Sequence, residues 1–220
     1  MTKTKLAIFD MDGLMVDSET VYMNCLKTVM QGWNMYVPDE VIISSMGSDK
    51  DHCRKIYEDY LNVKIDDEEL WYLVNKVREK YFIEHPLKPK KGIYELFDYL
   101  DSHNINRALG TSARPERTKK FLEPLNLYEG FVLRYTGDMA PHSKPHKDFY
   151  TKLIEMAHVK PEEAIIFEDS LNGLNAALNA GIRCVLVPDV VILPEEDRRK
   201  AAAVIEDLSM AIPLFEDNKL

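Results

Sequence analysis

The chain opens with a short apolar run, Leu6-Ala7-Ile8-Phe9, that stops at Asp10-Met11-Asp12-Gly13 and is followed by no strand-like pattern for about seventy residues. A single strand has nothing to pair with, so its partners must lie in the second half of the chain. That restricts the topology. Whatever separates the strand from its partners is an insertion into a domain that begins at the N-terminus. The end of the run adds a chemical constraint. Side chains i and i+2 of an extended chain share a face, so two carboxylates are delivered into one small volume. A divalent cation or a shared proton must offset their repulsion. Gly13 lets the chain turn where a side chain would block it.

The intervening stretch reads as helix throughout. Ser18 is a plausible N-cap for a helix to Trp33, with Tyr22, Leu26, Val29, Met30 and Trp33 at helical spacing. Further helices are predicted from Pro38, over 51–61 and over 67–82, the last with Leu70, Leu73, Val74, Val77 and Tyr81 on one stripe. Tyr22, Trp33, Tyr57 and Trp71 are expected to form the core of this bundle. His85-Pro86-Leu87-Lys88-Pro89 then makes a stiff connector. Beyond it, helices at 92–103, 114–122, 146–158, 171–179 and 195–202 alternate with strands at 107–110, 131–135, 164–167, 183–187 and 203–205. Such alternation implies an α/β parallel sheet with helices on both faces. The domains are therefore 1–16 with 88–220, and an inserted helical bundle at 17–87, placed to serve as a lid.

In open parallel sheets the ligand site lies at the carboxyl ends of the strands. The polar residues following each apolar strand are Asp10 and Asp12, Thr111 and Ser112, and Glu168-Asp169-Ser170, while Ser143-Lys144-Pro145 precedes a helix. All are expected on one rim. Four carboxylates suit a hard oxygen-seeking ion, Mg2+. Thr111, Ser112 and the helix start near Arg114-Pro115 offer hydroxyls and amides to an anion, though they would serve equally as caps. Together with an ammonium at Lys144 this set describes phosphoryl transfer, with a carboxylate attacking phosphorus and a second moving the proton.

The order of these segments resembles the haloacid dehalogenase superfamily of phosphotransferases, in the branch with a helical cap after the first strand. The motifs are Phe9-Asp10-Met11-Asp12-Gly13 through Glu19, Leu109-Gly110-Thr111-Ser112, Ser143-Lys144-Pro145, and Phe167-Glu168-Asp169-Ser170-Leu171-Asn172-Gly173. The resemblance implies a Rossmann-like core. It implies Asp10 as nucleophile and metal ligand, and Asp12 as general acid/base with its backbone carbonyl on the metal. It implies Thr111 and the Ser112 amide on the phosphoryl group, Lys144 bridging phosphate and nucleophile, and Glu168 and Asp169 completing the Mg2+ site. The superfamily also hosts β-phosphoglucomutases. These carry a histidine where Tyr22 stands and an arginine ending a G-x-x-R cap segment, where this chain has Gly47-Ser48-Asp49-Lys50. Lysine neutralises a phosphate without the bidentate fork, so both departures favour hydrolysis of a small phosphomonoester, a sugar phosphate or a nucleotide-like phosphate. Tyr22 and Lys50 are the cap residues nominated to meet substrate, Lys50 being read equally well as a solvated helix-start lysine. A phosphosugar mutase is the alternative, and a non-catalytic binding protein a remote one. Dehalogenation has no use for Asp12, and phosphonate cleavage needs a Schiff-base lysine that Lys50 does not resemble.

The rest sets context. A net charge of −9 argues against nucleic acid or an anionic membrane as partner. Cys25, Cys53 and Cys184 show no metal spacing and read as reduced packing thiols. No secretory leader or membrane span is apparent, so a cytoplasmic location is expected. His142 and His146 flank Lys144, but with Pro145 between them a shared ligand geometry is not expected.

Overall fold

The first strand finds its partners across the whole length of the chain. In a computed structural model describing residues 3–46, 50–217 and 219–220, six parallel strands among the described residues form one sheet in the order β3-β2-β1-β4-β5-β6. These are β1 (Leu6–Phe9), β2 (Asn106–Gly110), β3 (Leu133–Tyr135), β4 (Ala164–Glu168), β5 (Arg183–Leu186) and β6 (Ala203–Val204). The register sets Phe9 beside Leu109 on one side and Phe167 on the other. The chain steps outward from β1 through β2 and β3, then returns to add β4 to β6 on the opposite side. The gap between β1 and β4 is thus the point where strand order reverses, and ligand crevices form there in open α/β sheets.

Both faces of the sheet are covered. On one, Leu6, Ile8 and Ile166 pack with Tyr150, Leu153 and Leu174. These come from α7 (Asp148–Met156) and α8 (Leu171–Asn179). On the other, Phe9 stacks on Phe167 at 4.9 Å between ring centroids and meets Phe97 edge-on at 5.1 Å. Phe97 belongs to α5 (Ile93–Ser102). Buried on both faces, β1 and β4 read as continuous apolar runs rather than alternating ones. This unit spans 1–16 and 88–220, and a second compact unit spans 17–87.

The second unit contains α1 (Ser18–Gly32), α2 (Asp39–Ser45), α3 (Lys50–Leu61) and α4 (Asp67–Glu84). α1 packs on α4 and α2 on α3, around Leu26, Met30, Tyr57, Leu70, Trp71 and Val74. Asp66 caps α4 by accepting from the Glu69 amide at 2.8 Å. Ser18 is the first helical residue rather than the N-cap; Asp17 holds the cap position. Tyr22 and Trp33 are only partly buried, so the aromatic core rests on Tyr57 and Trp71.

Several boundaries differ from expectation for local reasons. α7 begins at Asp148, not at 146, because a turn closed by the His146 amide on the Ser143 carbonyl (3.0 Å) precedes it. β3 is only three residues long, because the Val132 amide bonds to the Arg107 carbonyl before ladder geometry is reached. α6 runs Pro115–Leu122, and after the four-residue α9 (Glu195–Arg198) the chain closes with α10 (Ala211–Glu216). All three cysteines are buried and free. No helix among the described residues is long and apolar enough to cross a membrane.

Candidate active site

One residue past the Phe9 register pairs, Asp10 lies between Gly110 of β2 and Glu168 of β4, and its amide extends the ladder to the Phe167 carbonyl at 3.1 Å. Lys144 joins all three strand ends. Its Nζ donates to Asp10 Oδ1 at 2.6 Å, Glu168 Oε1 at 2.6 Å and the Gly110 carbonyl at 3.0 Å. Only 6% of its side chain is exposed, against 11% of Asp10 and none of Glu168. The Lys144–Pro145 peptide that leads away from it is cis. Glu168 is further held by the Tyr150 hydroxyl at 2.6 Å and the Ser170 hydroxyl at 3.0 Å. Ser170 also caps α8, accepting from the Gly173 amide at 3.0 Å.

Glycines set the approach of the acidic groups. Gly13 has φ +77°, and a Cβ there would fall 2.1 Å from Asp169 Oδ2. At Gly173 a Cβ would fall 1.8 Å from the Glu168 carboxyl carbon. Both positions exclude larger residues because a carboxylate occupies the space. Asp10, Glu168 and Asp169 offer oxygens within 4.8 Å of one another. Three carboxyl groups share one ammonium in this pocket.

The electrostatics follow. Burial pushes the Asp10 carboxyl up to about 7; Lys144 works against that rise and Glu168 adds to it. Burial also works to lower Lys144, but its two carboxylate partners prevail and hold the ammonium above its ordinary range. Burial and the neighbouring Glu168 raise the Tyr150 phenol well above its usual value, so it stays a hydrogen-bond donor.

Asp12 adds its repulsion to the rise of Asp10 but has a partner of its own. Its Oδ1 accepts from Arg117 Nη2 at 2.6 Å, and the guanidinium lies 4.9 Å from the Phe121 ring centroid. Thr111 is buried, and its hydroxyl oxygen accepts from the Ala113 amide at 3.1 Å, which shapes the turn into α6. Ser112 is exposed on that turn. Tyr22 and Lys50 belong to the helical unit and meet there at Trp71. The Tyr22 ring stacks on it at 6.4 Å and Lys50 Nζ stands 5.6 Å from its centroid. Gly47, Ser48 and Asp49, the rest of the segment compared with G-x-x-R, lie outside the described residues.

Three residues escaped the sequence reading. Arg117 gives no local signal, since its partner lies 105 positions away. Tyr150 reads as one more apolar helix position. Asp189 could have been found by the strand-end rule, since it follows β5. It pairs with Lys90, and its Oδ2 lies 3.4 Å from the Cβ position of Gly13.

Comparison with known proteins agrees with this architecture. A phosphorylated carbohydrates phosphatase of Thermotoga maritima is 30% identical over 175 residues, covering 80% of this chain and 81% of that one. Hexitol phosphatase B of Escherichia coli is 28% identical over 199 residues, covering 83% and 82%. Among solved structures, a Thermotoga maritima protein assigned provisionally as a β-phosphoglucomutase superposes with a TM-score of 0.80 at 25% identity, covering 97% and 99%. The haloacid dehalogenase-like hydrolase family matches residues 7–187, a span running from β1 to just past β5 and holding every residue of the rim cluster, and the chain belongs to that family.

Proposed function

We propose that this protein is a Mg2+-dependent phosphatase of small phosphomonoesters, sugar phosphates in particular, working through an aspartyl-phosphate on Asp10. The observation that carries this reading is the shared ammonium of Lys144. It fixes one Asp10 oxygen, Oδ1, while Asp12 is held separately by Arg117. A nucleophile and a proton carrier two positions apart need different partners, since equal environments would give them equal roles.

The donor set fits Mg2+, being oxygen-only and clustered within 4.8 Å. Asp10, Glu168 and Asp169, with the Asp12 backbone carbonyl, would hold the ion. When bound it would neutralise the substrate phosphate and keep Asp10 ionised at neutral pH. The remaining chemistry is the chain's own. Asp10 supplies an oxygen to phosphorus, and Lys144 balances charge on the phosphoryl oxygens. Thr111 and the Ser112 amide orient those oxygens. Asp12 gives a proton to the departing alkoxide, then takes one from the water that hydrolyses the acyl phosphate. The phosphatase names borne by relatives in this family support hydrolysis. The departures at Tyr22 and Lys50 support it too.

The test is inorganic phosphate release across a panel of sugar phosphates and nucleotides, with Mg2+ and with EDTA. Activity should require Mg2+ and vanish in Asp10→Asn. Full activity in that variant would overturn the assignment of Asp10. The fold similarity to the provisional β-phosphoglucomutase keeps a second reading in play. Incubation with β-glucose 1-phosphate and trace bisphosphate separates the two: glucose 6-phosphate appears only from a mutase.

A further inference from the structure

On the turn that leads into α7, His142, His146 and Asp148 converge, a shared geometry that the sequence around Pro145 does not by itself establish. The rings lie 4.4 Å apart between centroids at 34°. Both turn Nδ1 to the same carboxylate oxygen, Asp148 Oδ2, His142 at 3.1 Å and His146 at 3.3 Å. As the first residue of α7, Asp148 has an ordinary reason to be acidic. That role does not account for two imidazoles on one oxygen.

The contacts of His146 are the informative ones. Its Nδ1 accepts a long hydrogen bond from the Asp148 amide at 3.3 Å. The same nitrogen therefore presents a lone pair, and its 3.3 Å approach to Oδ2 sets acceptor against acceptor. A cation lying between them would take that single lone pair in place of the long amide hydrogen bond and remove the conflict. A tetrahedral ion with bonds of 2.0–2.2 Å separates neighbouring donors by about 3.3 Å, which matches both nitrogen-to-oxygen distances. The turn is also restrained. Pro141 and Pro145 limit its backbone, and Asn179 of α8 donates to the Pro145 carbonyl at 3.2 Å. It borders an open groove of about 800 Å3 lined also by Ser143 and Lys147, which leaves room for water as a fourth ligand.

We propose that His142, His146 and Asp148 form a binding site for a borderline transition-metal ion, Zn2+ foremost, separate from the carboxylate cluster of the rim. Imidazole nitrogens with one carboxylate suit Zn2+ and its late first-row neighbours, whereas the all-oxygen rim suits Mg2+. Saturating Mg2+ therefore blocks the rim while leaving this site open.

The test uses untagged protein titrated with Zn2+ by calorimetry in millimolar Mg2+ near pH 7.5, because zinc takes imidazole only in its neutral form. One Zn2+ per chain is expected. His142→Ala/His146→Ala should weaken it at least ~10-fold, while Asp169→Asn should bind it as the parent does. Co2+ in place of Zn2+ should give the visible absorption of a tetrahedral site in the parent and in Asp169→Asn, and none in the double histidine variant. Both histidines are exposed, so the double variant should melt with the parent in EDTA. Absence of binding in the parent, or equal binding by the double histidine variant, overturns the proposal.

Discussion

Replacing Lys144 by methionine should separate its structural role from its chemical one. Methionine nearly matches the shape of the lysine stem, so the change removes charge and hydrogen bonds more than volume. What remains is Asp10, Glu168 and the Gly110 carbonyl, all facing the lost ammonium. Breaking a buried ion pair by removing one partner costs about 3–5 kcal/mol, because the other charge stays buried. With a urea m-value on the order of 3 kcal/mol/M, the midpoint should fall by ~1 M or more. The cost should depend on pH, and the sign follows from Asp10. Its carboxyl is raised from 3.8 to about 7 by burial, so ionising it opposes folding progressively between those values, and Lys144 moderates the penalty. At pH 5 Asp10 of the folded protein is protonated and asks little of Lys144. At pH 8 it is charged and asks much. Urea titrations of parent and variant in EDTA at both pH values should thus show a larger loss at pH 8, by ~1 kcal/mol or more. A loss below ~1 kcal/mol at pH 8, or one equal at both pH values, would refute the view that Lys144 stabilises the rim by charge. Phosphatase activity, measured separately under folding conditions, should fall ~100–1000-fold.

Other expectations test neighbouring parts of the site. Mg2+ at a hundred times its dissociation constant should stabilise the fold by ~2.7 kcal/mol, and Asp169→Asn should abolish that gain in thermal melts. Gly173→Ala drives a methyl into the Glu168 carboxylate; chemical denaturation should show a loss of ~1–3 kcal/mol, with activity reduced at temperatures where the variant is folded. Arg117→Ala removes the charged donor to Asp12 and should lower kcat about tenfold with little change in KM, a split that steady-state kinetics would detect. Asp207 accepts from Lys91 at 2.7 Å and from the Ser209 amide at 3.0 Å. Chiefly through its bonds to Lys91 and Ser209, its carboxyl is held below the usual range. That contribution is present above about pH 4 and fades as pH falls through the lowered value, so melting temperature should drop less steeply with acid in Asp207→Asn.

The sequence was most informative where chemistry follows local pattern. Apolar runs ending in acidic residues pointed to Asp10, Asp12, Glu168 and Asp169 without knowledge of strand order, because a buried parallel strand announces both its length and its exit. Pairings across the fold left no such trace. Arg117 sits on an amphipathic helix like many surface arginines, and only the packing of α6 reveals that it meets Asp12. The same limit applied to His142 and His146. A proline between two residues reads as a separator, yet the turn closed on Ser143 folds their rings together. At Asp189 the strand-end signal is weaker, because Val187 and Pro188 intervene between β5 and the acid.

The placement of β1 at the centre of the sheet has a consequence for synthesis. Leu6–Phe9 leaves the ribosome before the other five strands of this sheet, but its two neighbours are β2 and β4, and the register with β4 closes only when Phe167 appears. At about 5–20 residues per second this leaves a fully apolar strand without its final partner for roughly 10–30 s. During that interval the helices of 17–87, whose contacts are local in sequence, can already form. The strand that leads into the proposed nucleophile is therefore a hydrophobic tether open to chaperone capture during that interval, and the candidate site is assembled late, with the closing of the sheet.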